Sequence, residues 1–471
     1  VVALERDSIA VFGSRVFTRL LGFLSVIYFA RALGAESLGI YFTFQTLVSI
    51  LTLAASVGLP GATVKRMSQQ ETADERAPYL TAALLLAVGT FGIVSLAVFV
   101  FGARVDSFVD LETAAPLLVL VVGLGACRSI LVSALRGEQK VSVSGLLDLF
   151  GQVVRLVVSI ALIAEFGVVG LIYGSAVSLA LSALVSFWLL DTSLTLPTRG
   201  AIEHLVEFAR YTAGMNVSHL AYTWADTLVL AALASKAAVG VYESSWRLTG
   251  ITLLGAQAIG IALAPTITRW HENGDMDGIE QAFRQALTYA VMFVIPAIVG
   301  VALLGDDLLS TLYQFETGAT VLLILTVGQL AQAVKYVTQN VLFGIDRPDI
   351  VFWTNIVSLV ANLALNVVLV SEFGIYGAAV ATLTTAAVAA VAQIWLLRRE
   401  LTLSADWGAI GWQVGAALVM GAAIYALDRV VAGDTIVGVV SLVGAGAVVY
   451  GLGMLAREDV RLRLRSALES T

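Results

Sequence analysis

The chain repeats itself. Arg128 and Lys335 stand 207 positions apart, and so do Gly137 and Gly344, Lys140 and Arg347, Asp148 and Asn355, Arg155 and Asn362, and Trp188 and Trp395. The run Glu165-Phe166-Gly167-x-x-Gly170 returns at the same offset as Glu372-Phe373-Gly374-x-x-Gly377, with no gap in the window. Farther upstream, Gly39-Ile40-Tyr41 matches Gly240-Val241-Tyr242 at an offset of 201, so about six residues of loop separate the two registers. Matched Leu, Ala and Val positions are frequent coincidences in an apolar chain. The Glu-Phe-Gly block and the matched ionisable positions are not. A duplicated apolar unit implies two helix bundles built alike, facing each other across a path.

Hydrophobic residues make up 59% of the 471 positions, against roughly 45–50% for a soluble domain. The excess falls in long apolar runs separated by short charged loops, the pattern of a polytopic membrane protein. Fourteen runs are long enough to cross a bilayer: 8–31, 38–60, 79–102, 114–136, 144–164, 168–190, 209–234, 240–264, 282–304, 319–343, 350–371, 375–397, 407–427 and 435–456. The expected fold is all-α, with two parallel six-helix repeats and two C-terminal helices. The N-terminal lobe is expected over 1–190, a linker with Pro197 over 191–208, the C-terminal lobe over 209–397, and the two added spans and tail over 398–471. Six crossings per repeat is an even number, so both repeats enter the membrane the same way. The first apolar stretch, interrupted by Arg15 and Arg19, reads as a span and not as a cleaved leader.

Loop charge predicts orientation. With the N-terminus inside, seventeen Lys and Arg fall in cytoplasmic segments, and only Arg31, Arg104, Lys236 and Arg429 fall outside. The expected place is the plasma membrane, with both termini cytoplasmic. Cys127 is the only cysteine, and His204, His219 and His271 are scattered, so neither a disulfide within the chain nor a metal site is expected. Nothing suggests a nucleic-acid partner. No Walker A loop is present, so ATP does not drive the chain directly.

Apart from these loop and span-end residues, six basic residues remain, all within predicted spans: Arg15, Arg19, Arg128, Arg155, Arg247 and Lys335. A cation at a helix centre costs about 2.5–3.5 kcal/mol on insertion scales, so each is expected to face protein or water. Arg15 and Arg19 share a face of span 1. Snorkelling to the headgroups is the plain alternative, and it suits the shallower Arg15 better. Arg128 and Lys335 are repeat equivalents, either lining an anion vestibule or snorkelling. Arg155 has Asp148 two turns earlier, so a structural ion pair competes with a substrate role. The second copy carries Asn355 and Asn362 there, with Asn366 a turn further on. Arg247 and Glu243 form an i,i+4 pair or a site. Asp226 stands apart from other charges along span 7. With Asn362 and Asn366 it is the candidate ligand set for a coupling Na⁺ or H⁺. No other cofactor is expected.

Three segments carry a family likeness. They are Gly13-Ser14-Arg15 through Arg31-Ala32-Leu33-Gly34 to Gly39-Ile40-Tyr41; Arg136-Gly137-Glu138-Gln139-Lys140 with the Glu165-Phe166-Gly167 turn; and Gly240-Val241-Tyr242 running to Ala264-Pro265. Together they resemble the polysaccharide (O-antigen type) flippases of the multidrug/oligosaccharidyl-lipid/polysaccharide exporter superfamily. The resemblance spans essentially the whole chain. It implies two six-helix lobes, alternating access, and a polyprenyl-linked saccharide moved from the cytoplasmic to the outer leaflet. Related lipid II flippases hold pyrophosphate with arginines on the first and eighth spans, where Arg15, Arg19 and Arg247 fall here. It also implies lipid and other glycan-assembly proteins as partners. Two rivals stay open: a cation-coupled multidrug exporter of the same superfamily, which would rely on acids such as Asp226 and Asp148, and a membrane glycosyltransferase or ligase, which would need an acidic site and large outer loops.

Overall fold

The computed structural model describes residues 2–429, 435–457 and 461; side chains are described except at 2–12, 15–16, 211, 213–222 and 261–262. Among the described residues, all regular structure is helical. Helix α1 (Val2–Ser56) has 55 residues and bends at Gly34, where φ is 79°. At 1.5 Å per residue it is about 80 Å long, enough for two crossings of a ~30 Å hydrocarbon core. Helix α14 (Pro348–Leu397) has 50 residues and bends at Gly374, so it also crosses twice. Single crossings are made by α3 (Ala73–Val100), α5 (Ala114–Gly137), α6 (Val141–Phe166), α7 (Val168–Trp188), α8 (Arg199–Leu233), α13 (Ala319–Gly344), α15 (Trp407–Asp428) and α16 (Ile436–Leu455). Two more crossings are broken ones: α9 (Lys236–Gly250) with α10 (Leu254–Glu272), and α11 (Met276–Val291) with α12 (Val294–Asp307). That accounts for the fourteen predicted spans. Two short helices in loops, α2 (Leu59–Met67) and α4 (Gly102–Val109), were not expected.

The duplication is visible at single atoms. Gly167 takes φ 55°, ψ −129° and its equivalent Gly374 takes φ 54°, ψ −132°. L-residues resist positive φ, which is why the Glu-Phe-Gly block keeps glycine there. Gln139 and Asp346, also equivalent, both have positive φ. After them the Lys140 N–H donates to the Leu135 carbonyl at 2.9 Å, and the Arg347 N–H to the Leu342 carbonyl at 2.8 Å. The Tyr41 hydroxyl meets Ser175 Oγ at 3.3 Å, and the Tyr242 hydroxyl meets Thr382 Oγ1 at 3.1 Å.

The chain divides into two compact units, Val1–Gly240 and Val241–Thr471. In the first, Leu59, Met67, Leu80, Ile130 and Leu205 form a core where α2, α3, α5 and α8 meet. In the second, Ile267, Phe283, Val337, Val341 and Leu397 pack together. A further cluster ties the added helices α15 and α16 to α12 through Met420, Ile424, Leu442 and Leu304. Pro296 has no N–H to offer the Met292 carbonyl at the break between α11 and α12. The Tyr450 hydroxyl of α16 donates to that carbonyl at 2.9 Å. Large apolar side chains such as Phe99, Trp188 and Val391 stay exposed, as lipid contact requires.

Candidate substrate site

In the first unit, α6 carries Ser144, Asp148, Gln152 and Arg155 at spacings of four, four and three, which puts them on one face. Asp148 does not pair with Arg155 on its own helix. Seven residues is about 10 Å of rise, while Arg128 reaches across from α5. Arg128 Nη2 donates to Asp148 Oδ1 at 2.5 Å, and Arg136 Nη2 lies 3.7 Å from Oδ2. Arg136 Nε donates to Ser144 Oγ at 3.1 Å. Arg155 instead donates from Nη2 to Gln152 Oε1 at 2.7 Å, and Gln152 Nε2 reaches Ser25 Oγ of α1 at 3.4 Å. Arg155 Nε is buried with no hydrogen-bond partner in the protein. Two guanidinium groups thus share one carboxylate, and a third, Arg155, is held by an amide. Gln152 and Ser25, which orient Arg155, are absent from the sequence expectations. The four-residue polar period along span 5 was the signal for Gln152.

Elsewhere in this unit, Arg19 is exposed on α1 and has an interaction partner. The Arg15 side chain lies outside the described residues. Asp226 is half-buried on α8 and is engaged, not isolated as its sequence neighbourhood suggests.

In the second unit, Arg247 Nη2 donates to Glu243 Oε2 at 3.1 Å, so the i,i+4 pair forms, with the Glu243 side chain buried. Lys335 is only 6% exposed and has an interaction partner. That is too enclosed for a side chain snorkelling to headgroups. At Asn355, the equivalent of Asp148, the partner is an amide one turn beyond Lys335: Gln339 Nε2 donates to Asn355 Oδ1 at 3.1 Å. Asn362 and Asn366 are buried. Asn362 Nδ2 reaches Thr385 Oγ1 at 3.4 Å, and Asn366 Nδ2 donates to the Asn362 carbonyl at 2.9 Å. Among the described residues, no cluster of three or more His, Cys, Asp or Glu is placed to hold a metal.

Loop residues lock the ends of the helices. The Glu138 carboxylate accepts from Thr192 Oγ1 at 2.6 Å, from the Thr192 N–H at 2.9 Å and from Lys140 Nζ at 2.9 Å. Burial alone would raise its pKa. The hydrogen bonds from Thr192, Lys140 and the Asp191 N–H outweigh burial and hold the carboxyl below its usual range. Lys140 also meets Asp191 Oδ2 at 2.9 Å, and its repeat equivalent Arg347 likewise pairs with Glu400 past the end of α14.

The polysaccharide biosynthesis protein model matches residues 4–271, and the lipid II flippase MurJ model matches 199–445. The chain is 29% identical over 467 residues to the probable low-salt glycan biosynthesis flippase Agl15 of Haloferax volcanii, covering 97% of each. It is 28% identical over 477 residues to the probable flippase AglR of the same organism, covering 99% of each. The solved inward closed conformation of lipid II flippase MurJ superposes with a TM-score of 0.79 at 16% identity, over 96% of this chain and 98% of that one. An inward-facing multidrug resistance MATE family transporter superposes at 0.65 and 18% identity, over 81% and 94%. At such identities the structural likeness shows the fold alone.

Proposed function

Because the chain belongs to the polysaccharide biosynthesis protein family, within the multidrug/oligosaccharidyl-lipid/polysaccharide exporter superfamily, we propose that it flips a polyprenyl-phosphate-linked saccharide from the cytoplasmic to the outer leaflet. The chain is a multi-pass membrane transporter and not an enzyme. The observation that carries the substrate reading is the surplus of guanidinium groups on the α5–α6 face. Arg128 and Arg136 share the single carboxylate of Asp148, and Arg155 further along the same face is oriented by an amide. A phosphate entering the membrane loses its hydration, and guanidinium replaces it with paired donors. Arg15, Arg19, Arg247 and Lys335 complete the proposed anion-binding set. The hydrocarbon tail stays in lipid, and no covalent step is needed. A cation exporter would need acids open to substrate; Asp148 is held by two arginines, which disfavours that reading.

Loop charge supports cytoplasmic termini in the plasma membrane. The cargo's chemistry makes other glycan-assembly proteins the natural partners. Coupling to Na⁺ or H⁺ through Asp226, Asn362 and Asn366 is the ion arm of the proposal. The test is reconstitution in vesicles with a fluorescent lipid-linked saccharide. Arg19→Ala, Arg155→Ala and Arg247→Ala are expected to insert normally and lose leaflet transfer. A Na⁺ or pH gradient is expected to drive transfer in wild type but not in Asp226→Asn. Unchanged transfer in all three arginine variants would remove the site assignment.

A further inference from the structure

Of the guanidinium groups on the α5–α6 face, Arg155 is the one whose charge is unspent. Asp148 offsets Arg128 and Arg136. Among the described residues no carboxylate lies within ion-pair distance of Arg155, and its partner is the neutral Oε1 of Gln152 at 2.7 Å. That oxygen has a set direction. Ser25, buried on α1, donates its single hydroxyl proton to the Leu21 carbonyl at 2.6 Å. Its oxygen is left to accept, and Gln152 Nε2 reaches it at 3.4 Å. With the amide nitrogen turned to Ser25, the amide oxygen turns to Arg155. The nitrogen also rests against α1 at Gly22, where a Cβ would stand 3.6 Å from it. Three hydrogen bonds in series thus run from the α1 backbone to the guanidinium. They use one of its five N–H donors, and Nε stays buried with no partner in the protein. The second copy drops both members together: Leu359 stands at the position of Gln152 and Asn362 at that of Arg155.

We propose, resting on the flippase reading above, that Gln152 is a positioning residue that aims Arg155 at the cargo phosphate without cancelling its charge. A carboxylate at 152 would hold the guanidinium as firmly, but it would also satisfy it. An arginine–carboxylate pair is a strong, charge-assisted contact, so an arriving phosphate would have to displace it. An apolar side chain would leave the charge whole and its direction free. A neutral acceptor supplies the direction and spares the charge. Inside a membrane protein that difference is large, because charges act more strongly where water is scarce. A division of labour along α6 follows. Arg128 and Arg136, tied to Asp148, join α5 to α6. Arg155, about 10 Å further along the helix, is held ready for an anion.

Binding of polyprenyl phosphate to the purified full chain in detergent tests the inference, with uncharged polyprenol as the reference and thermal melts alongside. Wild type is expected to prefer the phosphate. Gln152→Glu keeps the shape and adds a charge. It is expected to melt no lower than wild type, to bind polyprenol equally well, and to bind polyprenyl phosphate at least about tenfold more weakly, as the loss of one charge-assisted contact gives. Gln152→Leu, which installs the residue of the second copy, is expected to weaken the phosphate selectively as well. A packing role alone would lower the melting temperature and weaken both probes together, and that result overturns the inference. Polyprenyl phosphate binding within about twofold of wild type by either variant also overturns it. A wild type that binds the two probes alike removes the anion site of the flippase reading, and the role of Gln152 with it.

Discussion

The second glycine of the Glu-Phe-Gly-x-x-Gly block gives a quantitative test of the duplication. A Cβ on Gly377 would lie 2.0 Å from the Leu369 carbonyl oxygen, and one on the equivalent Gly170 would lie 2.7 Å from the Leu162 carbonyl oxygen. Ordinary contact begins at 3.4 Å, so alanine demands a separation of about 1.4 Å in the second copy and about 0.7 Å in the first. Both obstacles are backbone and cannot rotate aside. Overpacking costs about 1–3 kcal/mol, which places Gly170→Ala near ~1 and Gly377→Ala near ~3 kcal/mol. For a unit of this size ~3 kcal/mol lowers the melting temperature by about 6–12 °C. The assay is thermal unfolding of the detergent-solubilised chain. Gly92→Ala is the control, because its Cβ meets open space. If Gly377→Ala melts no lower than the control, or Gly170→Ala melts below Gly377→Ala, the close-packing argument is wrong.

Three further outcomes are expected. The Glu138 carboxyl is held below its usual range when folded, so the stability it contributes is complete above about pH 4 and is lost as pH falls through the depressed value. Glu138→Gln should therefore flatten the acid side of a melting-temperature profile. A double-mutant cycle on Arg128→Gln and Asp148→Asn should give a coupling of about 1 kcal/mol in thermal melts, modest because the Asp148 side chain is 44% exposed. The same cycle on Arg155 and Asp148 should give none. Tyr450→Phe leaves the Met292 carbonyl without its donor and should cost about 1–3 kcal/mol by the same melts, with little change in packed volume.

Much of the architecture was legible because the membrane restricts what a chain can do. Apolar run length set the crossings, and the 207-residue offset set the repeat. The glycines of the Glu-Phe-Gly block announced the bends that appear at Gly167 and Gly374. The site was less legible because ion pairing is decided across helices. Asp148 has Arg155 on its own face two turns on, yet Arg128 on α5 takes it. The isolation of Asp226 was likewise a property of its sequence neighbours only. Short helices such as α2, nine residues long, give no hydropathy signal of their own.

Pro296 and Tyr450 lie 154 positions apart, and the bend at the first is completed by the hydroxyl of the second. During synthesis the proline emerges long before the tyrosine. Until α16 inserts, a carbonyl stands orphaned in a medium that offers no water. A later-made helix therefore finishes a much earlier crossing, and a chain cut short of α16 would carry an assembly defect into the break between α11 and α12.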